Sequence, residues 1–310
     1  MTEIVVRSGP VPIAVADDGG DAPPMVMLHG GGGNLATMVR LARALRPAYR
    51  IIRPDLRGHG RSGSGPWDWE AVLDDLDAVV KELGLDNPPV VGLSLGGMLA
   101  AMWARRHPGC AGAVSLDGNP PPSRPDQLVG LDPATATAEL ARLRAVFDGM
   151  AAAMAGPWDA DQLAAARAAQ QHLVERFGGP AEDWLSAFDR NVEERDGVTW
   201  PRPDADLVAQ LDAAMAELDP LPVYADVRCP LLLVLATEDL PEQRPFRDLY
   251  AAYRRYLGTR LAALEPRRGL RVEYRAGASH AMAAEDPVGL AGLIVEFLAH
   301  PHRHRPASSI

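Results

Sequence analysis

Short apolar runs alternate, along the first third of the chain, with longer stretches in which apolar residues recur every three or four positions. The runs "IVVR", "IAVAD", "PPMVMLHG", "RIIRPDLRG", "PVVGLS" and "AGAVSLDG" predict strands, and "LATMVRLARALRP", Trp69 to Leu83 and Gly97 to His107 predict the helices between them. Such alternation predicts a mostly parallel sheet covered by helices on both faces. After Asn119 it stops, and an alanine-rich block with helical spacing and no strand runs to about Asp226. It resumes with "CPLLLVLATED", a helix from Glu242 to about Leu264, the strand "LRVEYRAG" and a closing helix "PVGLAGLIVEFLAH". The strands on either side of the helical block must pair in one sheet, so the block reads as a lid or cap. Prolines and glycines in "NPPPSRPD", "AGPWD", "FGGPAED" and "DGVTWPRPDAD" split it into about four helices. The predicted organisation is a core of residues 1–118 and 227–300, a cap of residues 119–226, and a flexible C-terminal tail, 301–310.

Composition narrows the function classes. With 310 residues, 47% of them hydrophobic and 23% charged, the chain reads as a soluble globular protein. The 31 Lys and Arg against 41 Asp and Glu leave a net charge of -10 with no basic stripe, which argues against nucleic acid or an anionic membrane as a partner. The start lacks a charged segment followed by an apolar one, and no apolar run approaches the ~20 residues of a membrane span, so a cytoplasmic enzyme is expected. Cys110 and Cys229 each abut a strand-like run and are expected to be buried thiols rather than a disulfide or a metal pair. Lys81 is the only lysine; with abundant arginine and alanine this suggests a GC-rich, actinobacterial genome. Its place in an exposed-looking helix suits neither a phosphate loop nor a Schiff base. His300, His302 and His304 alternate in the tail without an acidic or cysteine partner and read as a solvated terminus. Neither a metal nor a cofactor is called for.

Against this background the stretch Gly92-Leu93-Ser94-Leu95-Gly96 stands out as G-x-S-x-G between a strand and a helix. Flanking glycines let the chain turn sharply and project the hydroxyl, while the following helix aims its N-terminal amides at the same spot. "MVMLHGGGGN" ends the third strand with His29 and four glycines, from which the Gly31 amide could join that of Leu95 as an oxyanion donor. A dinucleotide loop would need glycine where Leu35 stands. "LLLVLATED" supplies Asp239 at a strand end and "YRAGASHAM" supplies His280 after the last strand, giving the order Ser, Asp, His.

These segments resemble the α/β-hydrolase superfamily. The resemblance is carried by "HGGGG" at His29 to Gly33, "RPDLRGHGRSG" at Arg53 to Gly63, "GLSLGG" at Gly92 to Gly97, "ATED" at Ala236 to Asp239, and "GASHAM" with "EDP" at Gly277 to Pro287. It implies an α/β fold with a mostly parallel eight-stranded sheet and a helical lid inserted after the sixth strand. It also implies a cofactor-independent serine hydrolase of carboxylic esters, lactones or thioesters: Ser94 attacks an acyl carbonyl, His280 relays the proton and Asp239 holds the imidazole. Glu238 and Asp117 compete for the acid's place, because some relatives supply it after the sixth strand. His59 is expected to order a loop near the site. Gly30, Gly32, Asp117, Trp158 and Trp184 are candidate substrate contacts, the tryptophans as parts of an apolar cap lining. The expected partner is a small acyl substrate, and the expected state a monomer or homodimer. The same triad could cleave carbon–carbon bonds or perform perhydrolysis, and a ligand-binding or cyclisation protein could have kept it.

Overall fold

Continuous apolar runs such as Leu231–Ala236 can be buried on both faces only inside a sheet with helices on either side. The computed structural model, which describes residues 1–264 and 269–301, has that arrangement. The first section of the core comprises β1 (Thr2–Ser8), β2 (Val11–Asp17), β3 (Pro24–Leu28), α1 (Val39–Leu45), β4 (Arg50–Pro54), α2 (Trp69–Glu82), β5 (Val90–Leu93), α3 (Leu95–Arg106) and β6 (Ala113–Leu116). The insertion then carries α4 (Pro133–Ala153), α5 (Ala160–Phe177), α6 (Ala181–Arg190), β7 (Val192–Arg195), β8 (Val198–Pro201), α7 (Ala205–Glu217) and α8 (Pro220–Asp226). The core resumes with β9 (Leu231–Ala236), α9 (Arg247–Ala262), β10 (Leu270–Arg275), α10 (Met282–Glu285) and α11 (Pro287–Ala299). The eight-stranded sheet has the order β1-β2-β4-β3-β5-β6-β9-β10, and every pairing from β4 to β10 is parallel. The expected sheet and the insertion after β6 are therefore present.

Two apolar layers cover the sheet. One packs α2, α3 and α9 on one face, with Trp103, Leu99 and Leu249 buried; the other packs α1 and α11 on the opposite face, with Leu41, Ile294 and Phe297 buried. Cys110 and Cys229 are buried and form no disulfide. Among the described residues, no helix is long and apolar enough to cross a membrane. The tail expected to be flexible, with His302 and His304, lies outside the described residues from 302 onward.

Three local expectations need correction. The insertion is not wholly helical: β7 and β8 form an antiparallel hairpin. Its turn is Asp196-Gly197, both at positive φ (53° and 75°), which is the backbone that a two-residue hairpin loop requires. Helix α1 starts at Val39 rather than near Leu35, because the Asn34 side chain caps the Ala36 amide and Thr37 Oγ1 donates to the Asn34 carbonyl, holding a turn in place of helix. The helix expected from Glu242 begins as α-helix only at Arg247, since Pro241 and Pro245 tighten the preceding turn into 3-10 geometry. Within the expected cap span, α8 packs on α3 of the core, and the buried Tyr224 donates its hydroxyl to the Gly118 carbonyl at 2.8 Å.

Candidate active site

Ser94 lies between the end of β5 and the start of α3 with φ 55° and ψ -118°, a conformation that side chains other than glycine rarely adopt. The crowding of its neighbours explains the motif. A side-chain carbon at Gly92 would lie 2.0 Å from the Gly96 carbonyl oxygen, and one at Gly96 would lie 2.5 Å from that of Leu28. Both positions therefore exclude any larger residue. The Ser94 amide donates to the Leu116 carbonyl (2.8 Å), which fixes the elbow beside the end of β6. Its hydroxyl has no partner among the described residues, and neither has the amide of Leu95, the first residue of α3.

The next residue of that neighbouring strand end carries the acid. Asp117, at φ 47°, donates its amide to the Val234 carbonyl (2.7 Å) and accepts the Ala236 amide at Oδ1 (3.1 Å). Its other oxygen, Oδ2, lies 2.6 Å from His280 Nδ1. The carboxylate can only accept there, so Nδ1 carries the proton and Nε2, with no partner among the described residues, presents its lone pair. Burial pushes the imidazole pKa down, but the hydrogen bond to Asp117 and that carboxylate's charge outweigh it and hold the pKa above the ordinary 6.5. The loop bearing His280 is fixed by the Thr237 and Glu238 amides, both donating to the Ala278 carbonyl at 3.0 Å.

This corrects the assignment of Asp239 as the imidazole's partner. Asp239 stands three residues beyond the end of β9, turns toward α9 and pairs with Arg254 at 2.6 Å. Glu238 is exposed. The reason is strand order: β6 adjoins β5, so the residue that ends β6 sits beside the elbow, whereas the β9 terminus is one strand farther away.

The glycine loop passes over the elbow. A side-chain carbon at Gly30 would approach Ser94 Cβ to 3.3 Å, and one at Gly31 would meet Leu95. His29 sets this loop's path. Its Nε2 accepts the Leu56 amide (3.0 Å), so its proton is on Nδ1, which donates to the Gly30 carbonyl (2.8 Å). Complete burial lowers the His29 pKa to about 4, and that of His59 to about 3, keeping both neutral. The Gly33 amide also donates to the Gly30 carbonyl (3.0 Å). With that carbonyl held twice, the N–H at the other end of the same peptide plane, that of Gly31, points the opposite way and has no acceptor among the described residues.

The remaining candidates divide. Gly32, at φ 71°, contributes its carbonyl to Asn191 of the insertion (2.7 Å). Trp158 bonds the Ala153 carbonyl and bridges to Thr199, while Trp184 stacks on Phe177 under Arg40; the described contacts of neither include Ser94 or His280. His59 is buried beside His29, with ring centroids 5.1 Å apart, as befits a loop-ordering residue.

Sequence reasoning missed a polar set around the loop. Asp55, fully buried, accepts the amides of Leu35 (2.7 Å) and Arg61 (2.8 Å) and the Nε of Arg190 (2.7 Å). Arg190 also forks onto Glu3, and Asn34 bonds Asn191 and the Ala187 carbonyl. The bonds from this set to Ala187, Arg190 and Asn191 join residues 135 to 187 apart along the chain, so no local pattern links them.

Comparison with known proteins agrees with this fold. A pimeloyl-[acyl-carrier protein] methyl ester esterase of Chromobacterium violaceum is 37% identical over 105 residues, 33% of this chain and 39% of the esterase. The chain thus spans about two-fifths of that relative's length, and 36% and 38% of two other curated relatives it matches. The crystal structure of E-2-(acetamidomethylene)succinate hydrolase superposes with a TM-score of 0.69 at 22% identity, covering 96% of this chain and 99% of that one. The enol-lactonase of Burkholderia xenovorans superposes with a TM-score of 0.61 at 22% identity, covering 96% of this chain and all (100%) of the lactonase. With its sheet order, its serine elbow and a family-model match that runs from residue 25 to residue 293, the chain belongs to the alpha/beta hydrolase family.

Proposed function

We propose that the protein is a serine hydrolase of carboxylic esters, lactones or thioesters that acts through an acyl-enzyme on Ser94. The observation that carries the reading is the 2.6 Å hydrogen bond between Asp117 and His280, one residue along β6 from the carbonyl that anchors the Ser94 elbow. In this reading His280 Nε2 takes the proton of the Ser94 hydroxyl as its oxygen attacks the acyl carbonyl. Asp117 holds the required tautomer and stabilises the imidazolium that forms. The developing oxyanion is received by the unpartnered amides of Gly31 and Leu95, the latter backed by the positive end of α3. The imidazolium then protonates the leaving alcohol or thiol. Water, deprotonated by the same nitrogen, releases the acid. The acyl carrier esterase and the enol-lactonase among the similar proteins are in keeping with ester-type substrates.

Labelling with a fluorophosphonate, followed by peptide mass spectrometry, tests the reading. The expected result is a single adduct on Ser94, with turnover of 4-nitrophenyl esters lost in Ser94→Ala while the melting temperature is kept. Retention of more than a few per cent of turnover in that variant would exclude a covalent mechanism on this serine.

A further inference from the structure

A run of four glycines has no side chains to hold its peptide planes, so whatever fixes them decides where their amides point. His29 fixes one plane from the core side. The insertion fixes another. Asn191, which follows α6, donates from Nδ2 to the Gly32 carbonyl (2.7 Å) and accepts Asn34 Nδ2 at Oδ1 (2.8 Å). Asn34 is itself fully buried and gives a second bond to the Ala187 carbonyl (2.7 Å).

Followed inward, these bonds form one chain. The Gly32 carbonyl shares a peptide plane with the Gly33 N–H, which donates to the Gly30 carbonyl (3.0 Å), and that carbonyl shares a plane with the Gly31 N–H. Asn34, Asn191, the Gly32–Gly33 peptide and the Gly30–Gly31 peptide thus point head to tail toward the Gly31 amide. We propose that Asn191 is a positioning residue for the oxyanion hole, so that the cap completes the hole through this hydrogen-bonded chain as well as covering it. The inference rests on reading Gly31 as an oxyanion donor. Each bond in such a chain polarises the next, so the terminal amide becomes a stronger donor as well as a better oriented one.

Asn191→Asp isolates the claim. It keeps the side chain's size and the oxygen that accepts from Asn34, but sets a carboxylate oxygen against the Gly32 carbonyl in place of a donor. Steady-state rates with 4-nitrophenyl acetate are expressed per serine titrated by a fluorophosphonate, so unfolded chain does not enter the comparison. Since direct removal of one oxyanion donor costs about 100- to 1000-fold, an indirect loss is expected to lower kcat about tenfold or more, with KM within about threefold. The inhibition constant of a small alkylboronic acid, which binds serine as a tetrahedral anion, should rise by the factor lost in kcat/KM. Asn191→Ala should behave alike. Arg43→Ala severs another tie of α6 to the core, the pair with Asp183 at 3.0 Å, without touching the loop, and should leave kcat within about twofold. Unchanged kcat in both Asn191 variants, or an equal loss in Arg43→Ala, overturns the proposal while the hydrolase reading stands. A wild-type protein that takes no fluorophosphonate overturns both.

Discussion

The two halves of the insertion look alike in sequence and are held in opposite ways. In the first half, α5 has no buried residue, and the ion pairs Arg167–Asp189 and Arg176–Glu242 that tie it to its surroundings are largely exposed. In the second half, Asp183, Arg190 and Arg202 are buried, and Arg190 meets the fully buried Asp55 of the core. Arg202 donates to the Ser62 carbonyl, and Leu207 of α7 fills the space above Gly58, where a side-chain carbon would lie 2.3 Å from it. Helix α5 is thus attached at the surface, although α4 before it buries Ala136 and Leu143 in the core. The second half is part of the wall that shapes the glycine loop. The insertion is therefore not one packing unit: the half that carries buried polar partners of the core also holds the glycine loop through Asn191.

The contrast can be broken most directly at Arg190. Arg190→Ala leaves the Asp55 carboxylate buried without its cation, which should cost about 3–5 kcal/mol in urea unfolding. Arg167→Ala, on the other half, should stay within about 0.5 kcal/mol. Equal losses in the two variants would erase the distinction between the halves.

Acid should act on the core loops that the second half contacts. Burial holds His29 and His59 at about 4 and about 3, and the positive charges of Arg190 and Arg202 from the insertion add to the depression. The native state refuses protons that the unfolded chain takes up near 6.5, so the stabilising contribution is complete above pH 6.5 and falls as pH decreases toward the native values. The slope approaches about 1.4 kcal/mol per pH unit per group below 6.5, so the pair should contribute a loss of about 3 kcal/mol between pH 6.5 and pH 5. Urea melts across that interval, compared between wild type and His59→Gln, check the slope: the variant should lose about half of this part of the pH dependence. An unaltered slope would show that the buried imidazole is not its source.

The smallest effect on stability should come from α5. Replacing Ala160–Phe177 by a short glycine-serine linker should shift the urea midpoint little and leave fluorophosphonate labelling of Ser94 intact, while narrowing the difference in kcat/KM between short and long acyl esters. An unchanged substrate profile would remove α5 from substrate choice.

What the sequence made legible follows from what is local. The serine elbow, the glycine loop and the parallel strands are each written in fewer than a dozen consecutive residues, and steric exclusion at Gly92 and Gly96 explains why those residues stand there. The sequence alone points to Asp239 rather than Asp117 as the partner of His280 because both follow apolar runs, and only the adjacency of β6 to β5 separates them. The hairpin of β7 and β8 carried a readable Asp-Gly turn, yet its strands are short and polar enough to pass for a loop between helices. Asn34, Asp55, Arg190 and Asn191 were invisible because a buried polar pair between distant segments has no period. Their chemistry appears only once the fold has removed them from water.

Whether Asp117 orients His280 and raises its basicity at the Ser94 elbow is tested most directly by the pH dependence of kcat/KM in Asp117→Asn and Asp239→Asn. Protonated His280 cannot accept the serine proton, so wild-type activity should fall with decreasing pH through an apparent pKa above 6.5, the side to which Asp117 shifts it. Asp117→Asn should lower kcat/KM by about three to four orders of magnitude and move that limb downward, whereas Asp239→Asn should change kcat/KM less than about fivefold and leave the limb in place. A large loss with a shifted limb in Asp239→Asn, and near-normal kinetics in Asp117→Asn, would contradict the account.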